Sequence, residues 1–449
     1  MFDVVLNNGL LVDPENLTQY IGSIGITGSR IAEISTQPLE GSRTVDAQGL
    51  VISPGWIDAH THTDGEPYCA ELLLCQGVTT AVSGNCGLSP LCMKAFFDRQ
   101  DENGFFLHQA EYVGHSFTLR GAVGLRNTHE PATERQIEEM VRLAERAMAD
   151  GACGVSFGLD YAPDSSFEEV LALSRAAAKF GRTISIHTRM KSAKDLDSLR
   201  EVIQIGRLTG VRIIISHFVY QYGEGIMEEA LELVDNAVRS GMDLFIDSGM
   251  YTPWATSIGT ATYDENNLST NCWKIGNMLV ASGKYTGRRL DQKIYQELRT
   301  DFPQECVIYF TGQEEDIYKA LKKPYAMPSS DAAQYCEGEG HPQISGTFPR
   351  YYRKMVRERA DLTLPEAIRK ATLLPAQVFG LPGKGRLRVG ADADLTVFDL
   401  HAITDRSDFP DRGRPDTLPE GIRYVFLNGV EAVSNGKFNR VKCGKSIRF

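Results

Sequence analysis

Along the chain the spacing of apolar residues changes twice. From the N-terminus to about Ile52 short apolar runs are broken by turn residues (FDVVL, NNG, LLV, GSIGI, TGSR, IAEIS), the pattern of a β-meander. A second stretch of this kind closes the chain, in GRLRVGADADLTVFDL, IRYVFLNGV and EAVSNGKF. Between Pro54 and about Leu381 the pattern becomes apolar strand, polar loop, amphipathic helix, repeated. Eight strands are predicted there: WIDAH, VTTAVSG, LRGAVG, CGVSFGL, TISIH, RIIISH, LFIDSG and YAMPSSD, with helices at 134–149, 166–180 and 226–240. Eight such units make an α/β fold of the (β/α)8 TIM-barrel class, with reactive residues at the C-terminal ends of the strands. Terminal strands need partners to cover their apolar face, so 1–53 and 382–449 are expected to assemble into one small β-sandwich beside the barrel of 54–381. Residues 258–326 exceed one βα unit and contain the strand-like CVIYFTG, an expected insertion over the active-site face and a candidate lid.

Composition narrows the classes. The 449 residues hold 58 acidic and 47 basic side chains, a net charge of −11, with 42% hydrophobic and 23% charged residues. That is globular. Without a cluster of five or more Lys/Arg, a nucleic-acid or anionic-membrane partner is not expected, because phosphate affinity rests on concentrated cations. No apolar run of about 18 residues occurs and MFDVVLNNG does not read as a signal peptide, so a cytoplasmic protein is expected. Nine scattered cysteines, an odd number without CxxC pairing, suit a reducing compartment.

The chemical signal starts at His60-Thr61-His62, ending the first barrel strand. Side chains at i and i+2 share one face of a strand, so both imidazoles can present to one metal ion. His187 and His217 end later strands, Asp331 ends the eighth, and Cys86 follows the second in VSGNCG, all on the same rim. These six converge as a metal site. The remaining cysteines are expected to be small buried hydrophobes, and His108, His115, His129 and His401 structural.

In PGWIDAHTHTD, QGVTTAVSGNCGLSP, GHSFTLRGAVG, GVSFGLDYAP, ISIHTR, IISHF, SSD and the long run from HPQISGTFPRYY to GADADLTVFD, the chain resembles the amidohydrolase superfamily and, within it, the N-acyl-D-amino-acid deacylase (D-aminoacylase) family. The resemblance implies zinc at the barrel mouth, held tightly by Cys86, His187 and His217, with a second, weaker metal near His60, His62 and Asp331. It also implies that the Cys86 thiolate takes the bridging place of the carbamylated lysine of many relatives; the fourth strand, CGVSFGL, offers no lysine. The expected reaction is attack of metal-bound hydroxide on a linear amide, an N-acyl-D-amino acid or related N-acyl amine, with Asp331 as general base and then acid. Alternatives are a cyclic-amide or dipeptide hydrolase of the same superfamily, or a non-catalytic scaffold; a scaffold would have lost ligands, and none of the six is missing. The family also suggests a homo-oligomer.

Substrate recognition departs from the family. Tyr251 and Ser257 match its tyrosine and serine after the seventh strand, but where an HPR arginine binds the substrate carboxylate the triplet here is His341-Pro342-Gln343. A lysine common after the sixth-strand histidine is replaced by Phe218-Val219. Losing a bidentate cation leaves the carboxylate unpaired unless Arg189 or Arg350 substitutes, with His341 a further candidate contact.

Overall fold

The computed structural model describes residues 1–126, 129–190, 192 and 194–449. Its centre is a closed parallel barrel. Trp56–Asp58, Val78–Ser83 and His108–Glu111 pair in one three-stranded sheet. Val113–Gly114, Gly154–Gly158, Thr183–His187, Arg212–Ile215, Leu244–Ser248 and Ala326–Pro328 form a six-stranded one. His108–Glu111 and Val113–Gly114 are two halves of one path across Tyr112, whose N–H donates to the Ser83 carbonyl at 2.9 Å. The ring shuts between the eighth and first strands: the Asp331 N–H reaches the His60 carbonyl at 2.9 Å and the His62 N–H reaches the Ala332 carbonyl at 2.7 Å. The strands interior to this ring are buried along their whole length, as parallel strands covered by helices should be. Helices at Glu134–Ala149, Phe167–Lys179 and Met227–Arg239 fall where the apolar period placed them.

The third strand does not. It was expected in LRGAVG at 119–124; the structure forms it from HQAEYVG and turns 115–122 into helix. The reason is that polarity along this strand does not mean exposure. His108, Gln109 and Glu111 are buried and partnered, His108 with Asp394 at 3.2 Å and Gln109 with Glu111 at 2.9 Å. In the helical turn the Arg120 guanidinium is itself buried, paired to Glu169 at 2.7 Å.

Both chain ends meet in a β-sandwich domain whose nine strands hydrogen-bond into a continuous sheet. Val51–Pro54 is the join, parallel to the first strand of the chain on one side and antiparallel to Leu395–Phe398 on the other. Leu6, Leu11, Ile24, Ile52, Val397 and Phe426 lie in its own apolar core. After the seventh barrel strand a three-stranded antiparallel sheet forms from Trp254–Ser257, Met278–Val280 and Cys306–Tyr309. It starts before the expected insertion at 258, whereas the helix Glu314–Lys322 packs back on the eighth barrel strand. No helix among the described residues is long and apolar enough to cross a membrane.

Candidate active site

Five strand ends bring the predicted donors together at the C-terminal mouth. Three of these residues sit in left-handed backbone: Cys86 at φ 53°, His217 at 31° and Asp331 at 52°. Such conformations are disfavoured for residues with a Cβ and persist only where surrounding structure fixes them, which makes them markers of function. Gly84, at φ 74°, permits the Cys86 turn, since a Cβ there would lie 2.4 Å from the Tyr112 carbonyl oxygen.

Cys86 Sγ lies 3.4 Å from His60 Nε2 and 3.4 Å from His217 Nε2. Asp331 Oδ1 is 3.4 Å from His60 Nε2 and 3.3 Å from His62 Nε2. Among the described residues, two groups of three donor atoms therefore fall within 4.8 Å of one another: His60, Cys86 and His217, and His60, His62 and Asp331. His60 belongs to both. The expected grouping of Cys86 with His187 and His217 differs in this respect: His187 stands outside both groups, its ring 4.6 Å from that of His217.

Electrostatics agree with a cation-binding site. Burial opposes a thiolate at Cys86, but the His60 and His217 imidazoles beside it hold the thiol well below its ordinary range. Burial would also raise the Asp331 carboxyl; the hydrogen bond from His62 and the nearby His60 and His217 hold it low. At His62 burial favours the neutral ring, yet the Asp331 and Cys86 partners push its pKa up to about 10. Both ring nitrogens of His187, and Nδ1 of His217, are buried without a hydrogen-bond partner. Buried imidazole nitrogens are nearly always satisfied, so unpartnered ones on rings beside the Cys86 thiol fit a metal ion. The mixed N, S and O donor set is of the kind zinc takes.

Two buried carboxylates that the sequence reading passed over support the donors. Asp247, inside the seventh strand, accepts from the His217 N–H at 2.9 Å and the Ser329 hydroxyl at 2.6 Å, and its Oδ2 lies 3.2 Å from His60 Nδ1. Fixing the far nitrogen of a ligating imidazole orients its ring. Asp58 accepts from the backbone N–H groups of His60 at 3.2 Å and Ser330 at 3.1 Å, tying the first strand to the eighth; burial pushes its pKa up to about 7. An acid within an apolar run, as in WID and LFID, was the available signal.

A cavity of about 600 Å³ opens on this cluster, lined by His62, Cys86, His187, His217 and Asp331 at its floor. Of the predicted substrate contacts, Ser257 and Gln343 line it. The Gln343 amide is already engaged, donating to the Asp331 carbonyl at 2.6 Å and accepting from the Tyr220 hydroxyl at 2.7 Å. The other four are turned away. Arg189 spends its guanidinium on Glu201, at 2.8 and 3.2 Å, and on the carbonyls of Pro163 and Ser165. His341 is fully buried, its Nε2 on the Pro253 carbonyl at 3.0 Å and its Nδ1 accepting the Gln343 N–H; burial lowers its pKa to about 3. Tyr251 packs edge-on against His341, rings 5.4 Å apart, with its hydroxyl toward Asp405. Arg350 is held by Met250, Asp405 and Glu314. Among the described residues no Lys or Arg lines the cavity. Of the cysteines expected to be buried, Cys92, Cys272 and Cys336 are exposed, and Cys306 lines the cavity beside the Tyr335 hydroxyl at 3.2 Å.

Histidines, a thiolate-prone cysteine and an aspartate at the C-terminal mouth of a (β/α)8 barrel with a two-ended β-sandwich define a metal-dependent amidohydrolase. Residues 299–433 match the Amidohydrolase family. The chain is 32% identical to the D-aminoacylase of Alcaligenes xylosoxydans xylosoxydans, over 99% of this chain and 97% of that one. It superposes with a TM-score of 0.90 on a solved D-aminoacylase described by its binuclear metal centre, at 28% identity and full coverage of both chains. The N-acyl-D-glutamate deacylase of Bordetella bronchiseptica, solved with zinc and a phosphonate mimic of the tetrahedral intermediate, gives 0.87 at 25% identity and full coverage. The chain belongs to the D-aminoacylase family of amidohydrolases.

Proposed function

We propose that the protein is a zinc-dependent deacylase that hydrolyses the amide bond of a linear N-acyl amine, N-acyl-D-amino acids being the first class to test. The observation that carries this reading is the convergence of His60, His62, Cys86, His217 and Asp331 beneath a 600 Å³ cavity, with both His187 nitrogens orphaned beside them. Cys86, His187 and His217 would hold the tighter ion and His60, His62 and Asp331 a weaker one. When bound, zinc supplies a water of lowered pKa and polarises the amide carbonyl. Asp331 accepts the proton of the attacking water and returns it to the departing nitrogen, which must be protonated to leave. The Gln343 contact fixes the Asp331 backbone while Asp331 Oδ1 faces His60 and His62. Asp247 keeps the His60 ring and the His217 backbone in place.

With Arg189 and Arg350 engaged elsewhere and Gln343 neutral, substrates with an apolar or uncharged amine portion should be hydrolysed better than acidic N-acyl-D-amino acids, because an unpaired anion in a desolvated cleft costs several kcal/mol. The test is a chelator-stripped protein assayed with and without added zinc on N-acyl D- and L-amino acids and neutral amides. Zinc-restored hydrolysis, weaker on N-acetyl-D-glutamate than on an uncharged analogue, is expected. Activity indifferent to chelation contradicts the metal reading, and a preference for N-acetyl-D-glutamate contradicts the charge reading.

A further inference from the structure

On the fourth-strand side of the cavity aromatic and aliphatic side chains line the wall beside the Asp160 carboxylate, which is held by the Thr262 hydroxyl. Asp331 follows the eighth strand; half a barrel away, Tyr161 follows the fourth, its ring 4.7 Å from that of His187. Phe117 packs on Tyr161 with its ring tilted by 42° and ring centroids 5.4 Å apart, and Leu88 and half-buried Met190 also line the cavity. Leu88 is 49% and Phe117 40% exposed, and both line the cavity, so an apolar track runs from the donor cluster to the surface. Contiguous apolar side chains left open at the mouth of a site are what an apolar ligand covers.

The track is built, not loose. The Phe117 N–H donates to the Gly87 carbonyl at 2.9 Å, the Ser89 N–H to the Thr118 hydroxyl at 2.9 Å, and that hydroxyl to the Ser89 carbonyl at 2.8 Å. Gly87, at φ 81°, lets the two loops meet: a Cβ there would lie 2.6 Å from the Ser116 nitrogen.

The direction of the substrate follows from proton delivery. Asp331 must reach the leaving nitrogen, so the amine portion lies on the eighth-strand side, near Gln343. A secondary amide is planar and trans, so the substituents of its carbon and nitrogen extend in opposite directions. The acyl chain then points toward the fourth strand. Resting on the deacylase reading above, we propose that Tyr161, Phe117 and Leu88 form the acyl-chain subsite, and that the preferred substrates carry an unbranched aliphatic acyl group longer than acetyl.

The experiment compares N-acetyl, N-butanoyl and N-octanoyl derivatives of one amine with the zinc-loaded protein. In parallel, binding of acetate, butanoate and octanoate is measured by calorimetry. Burying each methylene should raise kcat/KM on the order of threefold until the track ends, and alkanoate affinity should rise with length in the same way. Phe117→Ser and Leu88→Asn, both at exposed positions, should flatten the two slopes. Deacylation in which the acetyl compound is the best substrate, or alkanoate affinity that does not depend on length, would overturn the subsite. Length-dependent alkanoate binding without hydrolysis of any amide would sustain the track and overturn the deacylase reading instead.

Discussion

Two buried clusters of histidine and carboxylate sit at opposite ends of the barrel strands, and their difference separates chemistry from support. At the barrel–sandwich junction Asp394 accepts from Lys384 Nζ at 2.6 Å and from the Asn428 N–H at 2.8 Å, with His108 Nε2 3.2 Å away. Its partners are closed around it, and neither Asp394 nor Lys384 lines the cavity. At the mouth, by contrast, His187 and His217 keep orphaned nitrogens, three donors sit in left-handed backbone, and the cavity opens on the cluster. Burial and charge are common to both. An open valence facing a cavity is the distinguishing mark, and a closed network of the same residue types holds domains together.

Substitutions can break this contrast. The largest effect is expected from Asp331→Asn, which keeps size and removes the proposed proton carrier: turnover should fall by roughly 10² to 10⁴ while the melting temperature stays near wild type. Unchanged turnover would mean another group moves the proton. At the junction, Asp394→Ala should do the reverse. The buried Lys384 ammonium would then keep only Asp392, at 3.3 Å, and losing its shorter charge-assisted bond should cost about 1.5–3 kcal/mol of stability, read by denaturant unfolding, with zinc content and kcat retained in the fraction that folds.

The pH dependence of stability sharpens the same point. Although burial opposes it, Lys384 and His108 hold the Asp394 carboxyl well below the usual carboxylate range. A depressed folded-state pKa adds stability that is fully present above the unfolded value, near 3.9, and is lost as pH falls below it. Acid unfolding of wild type should therefore be steeper below about pH 4 than that of Asp394→Asn; identical acid limbs would mean that the junction charge adds no stability. The smallest effect is expected at Arg189. Since its guanidinium is closed by Glu201 and two carbonyls, Arg189→Lys should lower stability slightly and leave the ratio of kcat/KM for charged and neutral substrates unchanged. A shifted ratio would place Arg189 in contact with substrate.

What was legible in the sequence follows this division. The barrel strands and their terminal donors could be read because a buried parallel strand is an apolar run and its last polar residue stands out, as in TISIH and RIIISH. The third strand could not, because its polar residues are buried and paired with partners as distant in sequence as Asp394. Asp58 and Asp247 were in plain view within apolar strands, but their role depends on backbone N–H groups delivered by other strands. For Tyr251, His341 and Arg189 the motif gave neighbourhood without direction: a ring's orientation is decided by packing, here by Phe409, whose ring lies 5.0 Å from that of His341.

The central claim, that Cys86 is a thiolate ligand of a metal at this mouth, is most directly tested by zinc X-ray absorption on the purified protein. A sulfur scatterer at about 2.3 Å is expected in the wild type, and in Cys86→Ser it should vanish together with most of the bound zinc. A wild-type spectrum with nitrogen and oxygen neighbours alone, or a Cys86→Ser protein retaining full zinc and activity, would contradict it.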